Sequence, residues 1–308
     1  MVYKLIIIGS GPAGLSAAIY ASRADLAPIL FEGEVPGGPL VTTTAVENYP
    51  GFSEGVLGAE LIAKMRAQAE KFGTKIKTGN VVAVDFSSRP LKIFVGDNKK
   101  EYQSEAVIIS AGTEAKKLGL ASEAVFAGRG VSYCATCDGP LFRGKRVAVV
   151  GGGDSALEEA LFLAKFASEV SVLVRSEKIR ASEIMEHRAK ANAKIKWLLN
   201  MEVKEFLGDK KLEKIKLFNN KTKKDSELAV DGVFVAIGRT PNTRIFEGKL
   251  KMERGYIVNA PDKTATDIPG VFAAGDISDA HYRQAIVAAG RGAMAAIEAE
   301  RYLGELEK

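Results

Sequence analysis

The chain has 308 residues, 46% hydrophobic and 26% charged, enough to bury cores for about two domains and too apolar for a disordered polymer. Its 43 Lys and Arg against 38 Asp and Glu give a formal charge of +5, carried partly in short runs, Lys99-Lys100 and Lys221-Thr222-Lys223-Lys224. These runs read as hairpin turns without interleaved aromatics, which argues against nucleic acid and leaves at most a field that steers an acidic partner. No stretch nears about 18 uninterrupted apolar residues, so no membrane span is expected, and two thiols without an export signal place the chain in the cytoplasm.

The opening Met1-Val2-Tyr3-Lys4 and its apolar run imitate a secretory leader, but Gly9, Gly11 and Gly14 turn the segment into a strand, a phosphate turn and a helix. In Gly9-Ser10-Gly11-Pro12-Ala13-Gly14 the glycines give the turn and the close approach, Ala17, Ala18 and Ala21 let the helix lie on a sheet, and its N-terminus faces a pyrophosphate. A second strand, Ile29-Leu30-Phe31, ends at Glu32, 23 residues after Gly9, where a carboxylate accepts from an adenosine ribose 2′-hydroxyl. Leu61, Met65 and Phe72 mark the core face of a helix that stops at Gly73. A strand with a hairpin-like insert before it then ends at Gly112.

Next comes Cys134-Ala135-Thr136-Cys137-Asp138, which holds both cysteines of the chain. At this spacing a readily exchanged disulfide closes at low entropic cost, and an adjacent carboxylate is unusual for inert core thiols. Zinc would need two more ligands, and the only histidines, His187 and His281, stand 94 residues apart. The strand–turn–helix pattern then recurs over 146–163 with Gly151-Gly152-Gly153-Asp154-Ser155-Ala156. After its next strand, 170–174, no acid stands at the ribose position; Arg175, 24 residues after Gly151, and Arg180 replace it, the chemistry expected for a 2′-phosphate. A further insert and a strand ending at Ile237-Gly238 repeat the first plan, and Gly270-Val271-Phe272-Ala273-Ala274-Gly275-Asp276 is another strand ending in an exposed acid.

The predicted fold is therefore α/β: two Rossmann-like dinucleotide-binding domains with three-layer parallel sheets plus β-hairpin or meander inserts, the second inserted in the first. The first takes 1–113 and 244–308, the second 114–243, and the two crossings between them form a natural hinge.

Together these residues resemble the low-molecular-weight thioredoxin reductases over nearly the whole chain. The resemblance rests on both glycine turns, Gly37-Gly38 with Thr42 to Thr44, Val46-Glu47-Asn48-Tyr49-Pro50-Gly51, Gly128-Arg129-Gly130-Val131-Ser132, the Cys-Ala-Thr-Cys-Asp-Gly segment, Pro241-Asn242, and Gly275-Asp276 with Tyr282-Arg283-Gln284-Ala285. It implies FAD in the discontinuous domain, held by Gly9, Gly11, Pro12, Ala13, Gly14, Glu32, Gly38, Leu40, Thr44, Asn48, Gly112 and Gly275. Asp276 would take the ribityl chain, and Arg283, Gln284 and Ala285 would face the flavin ring. It implies NADPH in the inserted domain, on Gly151, Gly153, Asp154, Ser155, Arg175, Ser176, Arg180, Ile237 and Gly238. Cys137 would be the flavin-proximal sulfur and Asp138 the proton donor to the departing thiolate. The oxidised partner would be thioredoxin or a similar small disulfide protein, the assembly a homodimer, and a rotation about the crossings would expose the reduced pair.

Three departures qualify the match. Pro39 stands where the family commonly has Gln, Ser176 stands where a second Arg is usual, so NADH stays open as a donor, and Ala293 replaces an extra cysteine. Pro140-Leu141-Phe142 reads equally as partner surface or as core. A related reductase serving a glutaredoxin-like or peroxidase partner, a flavin-dependent NAD(P)H oxidase, and a nucleotide-binding redox sensor without turnover are the rival readings. A chain opening directly at its first strand counts against the flavoprotein subunit of alkyl hydroperoxide reductase, which carries an added N-terminal region.

Overall fold

Leu5-Ile6-Ile7-Ile8 shows no polar alternation because both faces of its strand are covered, as parallel strands require. In the computed structural model, which describes residues 1–42 and 45–307, strand Val2–Ile8 lies between Ile29–Phe31 and Lys100–Ile109, parallel to both. Successive side chains leave on opposite faces. Leu5 and Ile7 enter a core with Leu15, Leu61, Met65 and Ala295 from helices Pro12–Arg23, Gly58–Lys71 and Ala285–Leu306. Ile6 and Ile8 enter a second core with Leu91, Ile93 and Phe246. Each such side chain contributes about 1.5–3 kcal/mol by leaving water.

The insert expected ahead of Gly112 is not a separate hairpin. The ten-residue strand Lys100–Ile109 pairs in parallel with Val2–Ile8 and Val271–Ala273 at its end, and antiparallel with Leu91–Val95 at its start. One strand thus serves both the dinucleotide sheet and the meander. Phe72 also departs from expectation: helix Gly58–Lys71 buries Leu61 and Met65, but Phe72 follows the last turn, is 37% exposed, and has the Arg23 guanidinium 5.4 Å from its ring.

The chain divides into two compact units, Met1–Glu114 with Thr240–Lys308, and Ala115–Arg239. The crossings Thr113–Ala115 and Arg239–Pro241 pair as a two-stranded ribbon. Residues of the returning strand enter the first unit at Thr240, ahead of the 244 expected, because the Asn242 amide already donates to Gly112 O at 3.1 Å and its Nδ2 to Ala111 O at 2.8 Å.

The second unit repeats the sandwich. A five-stranded parallel sheet orders Val131–Ser132, Gly232–Val235, Arg146–Val150, Glu169–Val174 and Ile195–Leu199. Val147 and Val149 pack with Leu157, Ala160 and Leu163 of helix Asp154–Leu163. Ala148 and Val150 pack with Phe206, Ile215 and Leu217 of a separate antiparallel sheet, Met201–Gly208, Leu212–Asn219 and Lys224–Ala229. Among the described residues no helix is long and apolar enough to cross a membrane.

Candidate active site

Strand Val131–Ser132 runs into Cys134, which caps a single helical turn, Ala135–Asp138. Cys134 and Cys137 form a disulfide with Cα atoms 5.3 Å apart, and Cys134 Sγ accepts from the Cys137 amide at 3.2 Å. Ala135 is buried, and a Cβ on Gly139 would come within 3.2 Å of Phe162 and Leu163, so the turn is seated directly on helix Asp154–Leu163. Asp138 is half-buried rather than an exposed turn residue. Its Oδ2 accepts from Ser132 Oγ at 2.6 Å, while its Oδ1 is buried with no hydrogen-bond partner. Burial pushes this carboxyl above its ordinary value, and the Ser132 hydroxyl offsets part of the shift. A carboxyl that holds its proton more tightly than usual, next to a disulfide, is suited to proton transfer with sulfur when that bond opens. Phe142, left open between partner surface and core, packs edge-on against Phe234 at 5.2 Å; Leu141 beside it is 40% exposed.

In the first unit the glycine turn has two kinds of glycine. Gly9 (φ +106°) and Gly14 have no room for a Cβ, which would run into the Ser110 and Gly9 carbonyls. Gly11 faces open space, its nearest neighbour the Gly37 carbonyl at 3.9 Å from a Cβ, and Pro12 opens the helix without side-chain capping. Open backbone at a helix N-terminus is the shape a pyrophosphate occupies. Ser10 Oγ donates to Glu32 O at 3.0 Å and accepts from Gly37 N at 2.9 Å, tying the strand end and the Gly37-Gly38 loop to the turn.

Glu32 is 6% exposed, accepts from Thr78 Oγ1 at 2.8 Å and pairs with Arg66. Burial alone would raise it, but hydrogen bonds from Arg66 and Thr78 and the guanidinium charge hold it below the ordinary carboxylate value. These residues fit the adenosine end of a dinucleotide without a ribose phosphate. Because the folded value is the lower one, the stabilisation is complete above the unfolded value, about 4.3, and is lost as pH falls through the folded one. Glu32→Gln should therefore lower stability by about 1–3 kcal/mol near neutrality and flatten the acid limb, which urea titrations across a pH series measure.

This unit also gathers residues far apart in sequence. Asn48 Nδ2 donates to Gln284 Oε1 at 3.1 Å, and Gln284 precedes helix Ala285–Leu306. Thr113 Oγ1 donates to Asp276 Oδ2 at 3.5 Å. Arg283 adopts φ +50°, and the Asp279 carboxylate accepts from the amides of His281, Tyr282 and Arg283 at 2.9, 3.0 and 3.3 Å, holding that turn. Gly275 (φ +78°) lies against Ala13, whose Cβ would be 2.9 Å from an added one. Leu40 sits in the 3₁₀ turn Gly38–Thr42, half-buried, and Gly112 has φ +66° with open space around it. Thr43 and Thr44 lie outside the described residues.

In the second unit Gly151 (φ +151°) abuts the Ala236 carbonyl, a Cβ on Gly152 would meet Val174 Cγ1 at 2.8 Å, and Gly153 is open and caps helix Asp154–Leu163. The Arg180 amide donates to Gly152 O at 2.7 Å, which brings that residue onto the glycine turn. Arg175 and Arg180 are exposed, and among the described residues neither is in an ion pair. The Arg175 carbonyl accepts from Asn220 Nδ2 at 2.6 Å, Ser176 Oγ donates to Lys178 O at 2.8 Å, and Lys221 pairs with Glu177 at 2.7 Å. Ser155 is exposed beside them, as are Ile237 and Gly238. Asp154 is engaged elsewhere, its Oδ1 accepting from Ser182 N and Oγ, both at 2.8 Å.

Sequence reasoning missed Ser10, Arg66, Thr78, Ser132 and Asp279. Only Ser10 and Ser132 lie within motifs; the others act on residues 34 or more positions away or, for Asp279, through a turn with no motif.

The Pyridine nucleotide-disulphide oxidoreductase family matches residues 3–292. The mitochondrial thioredoxin reductase of Kluyveromyces lactis is 49% identical over 316 residues, covering 99% of this chain and 90% of that one. The thioredoxin reductase of Streptomyces coelicolor is 49% identical over 308 residues, covering 99% and 95%. Among solved structures, thioredoxin reductase from Giardia duodenalis superposes with a TM-score of 0.94 at 38% identity, covering 99% of this chain and 100% of that one.

Proposed function

The chain belongs to the pyridine nucleotide-disulphide oxidoreductases, flavin enzymes that use NAD(P)H, and we propose that within them it is a thioredoxin reductase using NADPH and FAD. The observation that carries this reading is the Cys134–Cys137 disulfide beside a half-buried carboxyl, in a unit that also holds a glycine turn flanked by Arg175 and Arg180.

A bound flavin supplies two-electron transfer between nicotinamide and a disulfide. The chain's own groups do the rest. Gly11 and the following helix receive the pyrophosphate, Glu32 the adenosine ribose, and Asp276 and the Arg283-Gln284-Ala285 turn the flavin end. Two electrons break the Cys134–Cys137 bond at Cys137, and Asp138 protonates the thiolate that departs. Cys134 then attacks the oxidised partner to form a mixed disulfide, Cys137 displaces the partner as a dithiol, and the internal disulfide is restored with its electrons passed on. The pair meets two partners in turn, so the ribbon Thr113–Ala115 with Arg239–Pro241 is where the chain would turn between steps. Leu141, exposed beside the pair, is offered to the protein substrate. The same reading places the enzyme in the cytoplasm as a homodimer, which sedimentation checks.

The deciding experiment is nucleotide oxidation by the purified protein with oxidised thioredoxin, run with NADPH and with NADH. Thioredoxin-dependent turnover supports the reading; turnover without thioredoxin, making peroxide, would replace it with an oxidase. In parallel, Arg180→Ala should lower the NADPH-over-NADH ratio of kcat/KM by about tenfold, the loss of one charged hydrogen bond to a phosphate. An unchanged ratio would move the 2′-phosphate away from Arg180.

A further inference from the structure

We infer that Ser132 is a positioning residue that clamps Asp138 by Oδ2 and so leaves Oδ1 as the oxygen that exchanges the proton with the cysteine pair. The inference rests on the thiol–disulfide reading above and goes beyond it by naming the atom and the residue that selects it. Ser132 is buried, on an edge strand pinned to the sheet by the pairing of Val131 and Ser132 with Val233 and Phe234. Its hydroxyl donates to Asp138 Oδ2 at 2.6 Å and accepts from the Cys134 amide at 3.1 Å, so one oxygen binds both the acid and the first cysteine of the pair. The Asp138 amide in turn donates to Cys134 O at 3.1 Å, closing a ring around the disulfide.

A hydroxyl has one proton to donate. With it committed to Oδ2, that oxygen serves as acceptor whether or not the carboxyl is protonated. Oδ1 is left buried with no hydrogen-bond partner, an arrangement costly for a carboxylate and relieved when Oδ1 carries a proton. In the reductive direction the S–S bond breaks, the electron pair stays on the departing sulfur, and the proton on Oδ1 passes to that thiolate, leaving Asp138 charged and still held at Oδ2. On return, when Cys134–Cys137 closes and the partner leaves reduced, Oδ1 takes a proton back. The other titratable groups on the elements packed against this turn are Tyr133, Arg143, Asp154, Glu158 and Glu159; burial, not their charges, raises the carboxyl's proton affinity, and the Ser132 hydroxyl opposes it.

The test uses the full flavin-loaded protein and follows two steps separately across a pH series: flavin reduction by the nicotinamide nucleotide, and reoxidation by an oxidised small disulfide protein. Ser132→Ala should slow the second step about ten- to a hundredfold and move its pH dependence upward, because the donor that stabilised the carboxylate is gone. The first step should keep its rate, and Ser132→Thr, which restores the hydroxyl, should recover both the rate and the pH profile. An Ala variant with the parent profile overturns the inference, and so does a slowed Ala variant whose profile is unmoved and which Thr fails to rescue, since that is packing alone. Asp138→Asn run alongside separates the two levels: if it keeps the parent rate and profile, the assignment of Asp138 itself fails.

Discussion

Cys137→Ser is expected to abolish thioredoxin-dependent NADPH oxidation, by about a thousandfold or more, while the protein stays folded and yellow. The chain has two cysteines and both are in one disulfide, so no third thiol can take over. Serine keeps the size of the side chain and the seat of the turn on Phe162 and Leu163, and removes only the sulfur that closes the bond. The remaining Cys134 thiol could still attack a partner disulfide, but the mixed disulfide would then have no internal thiol to resolve it. The expected readout is a trapped covalent complex on a non-reducing gel together with lost turnover. Turnover that survives the substitution would show that electrons leave without the cysteines and would favour the oxidase.

Gly292→Ala is expected to cost about 1–3 kcal/mol of stability and to weaken flavin retention, although Gly292 lies outside the glycine turn and meets it only by packing on Ala13. Helix Ala285–Leu306 crosses helix Pro12–Arg23 on a seam of small buried residues, Ala13, Ala17 and Ala18 against Ala288, Gly292, Ala295 and Ala296. A Cβ at Gly292 would run into the Ala13 carbonyl, in the first turn of the helix that follows the glycine turn. Backbone cannot rotate out of the way as a side chain can, so the helices must separate and the open turn at Gly11 must shift with them. Gly290→Ala is the control, since a Cβ there meets nothing within 4 Å and replacing glycine within a helix stabilises by about 1 kcal/mol. Denaturant titrations of both variants, with flavin absorbance after desalting, read the difference. Equal behaviour of the two would mean that the seam yields and that the packing does not hold the turn.

The glycine turns, Glu32, the cysteine pair with Asp138, and the succession of strands and helices were legible in the chain because each depends on residues near one another. A positive φ at Gly9 or Gly151, a two-residue gap between thiols, and unbroken apolar runs for strands covered on both faces are local demands that leave local marks. Boundaries and inserts were less legible. Lys100–Ile109 serves two sheet geometries at once, and Phe72 looks like a core residue until the helix is seen to end before it.

What surrounds the site came only from the tertiary structure. Arg66 and Thr78 stand 34 and 46 residues from the carboxylate they hold, Asn48 stands 236 residues from Gln284, and Gly292 faces a carbonyl in another helix. Ser132 lies six residues from Asp138, yet only the fold of the turn shows that its single proton goes to Oδ2. The sequence by itself determined which chemistry the chain carries, because reactive groups and backbone turns are properties of short segments. Only the packed structure decided which oxygen of Asp138 is left without a hydrogen bond and which acid is held below its ordinary value, because burial and the direction of a hydrogen bond exist only once distant segments have closed around them.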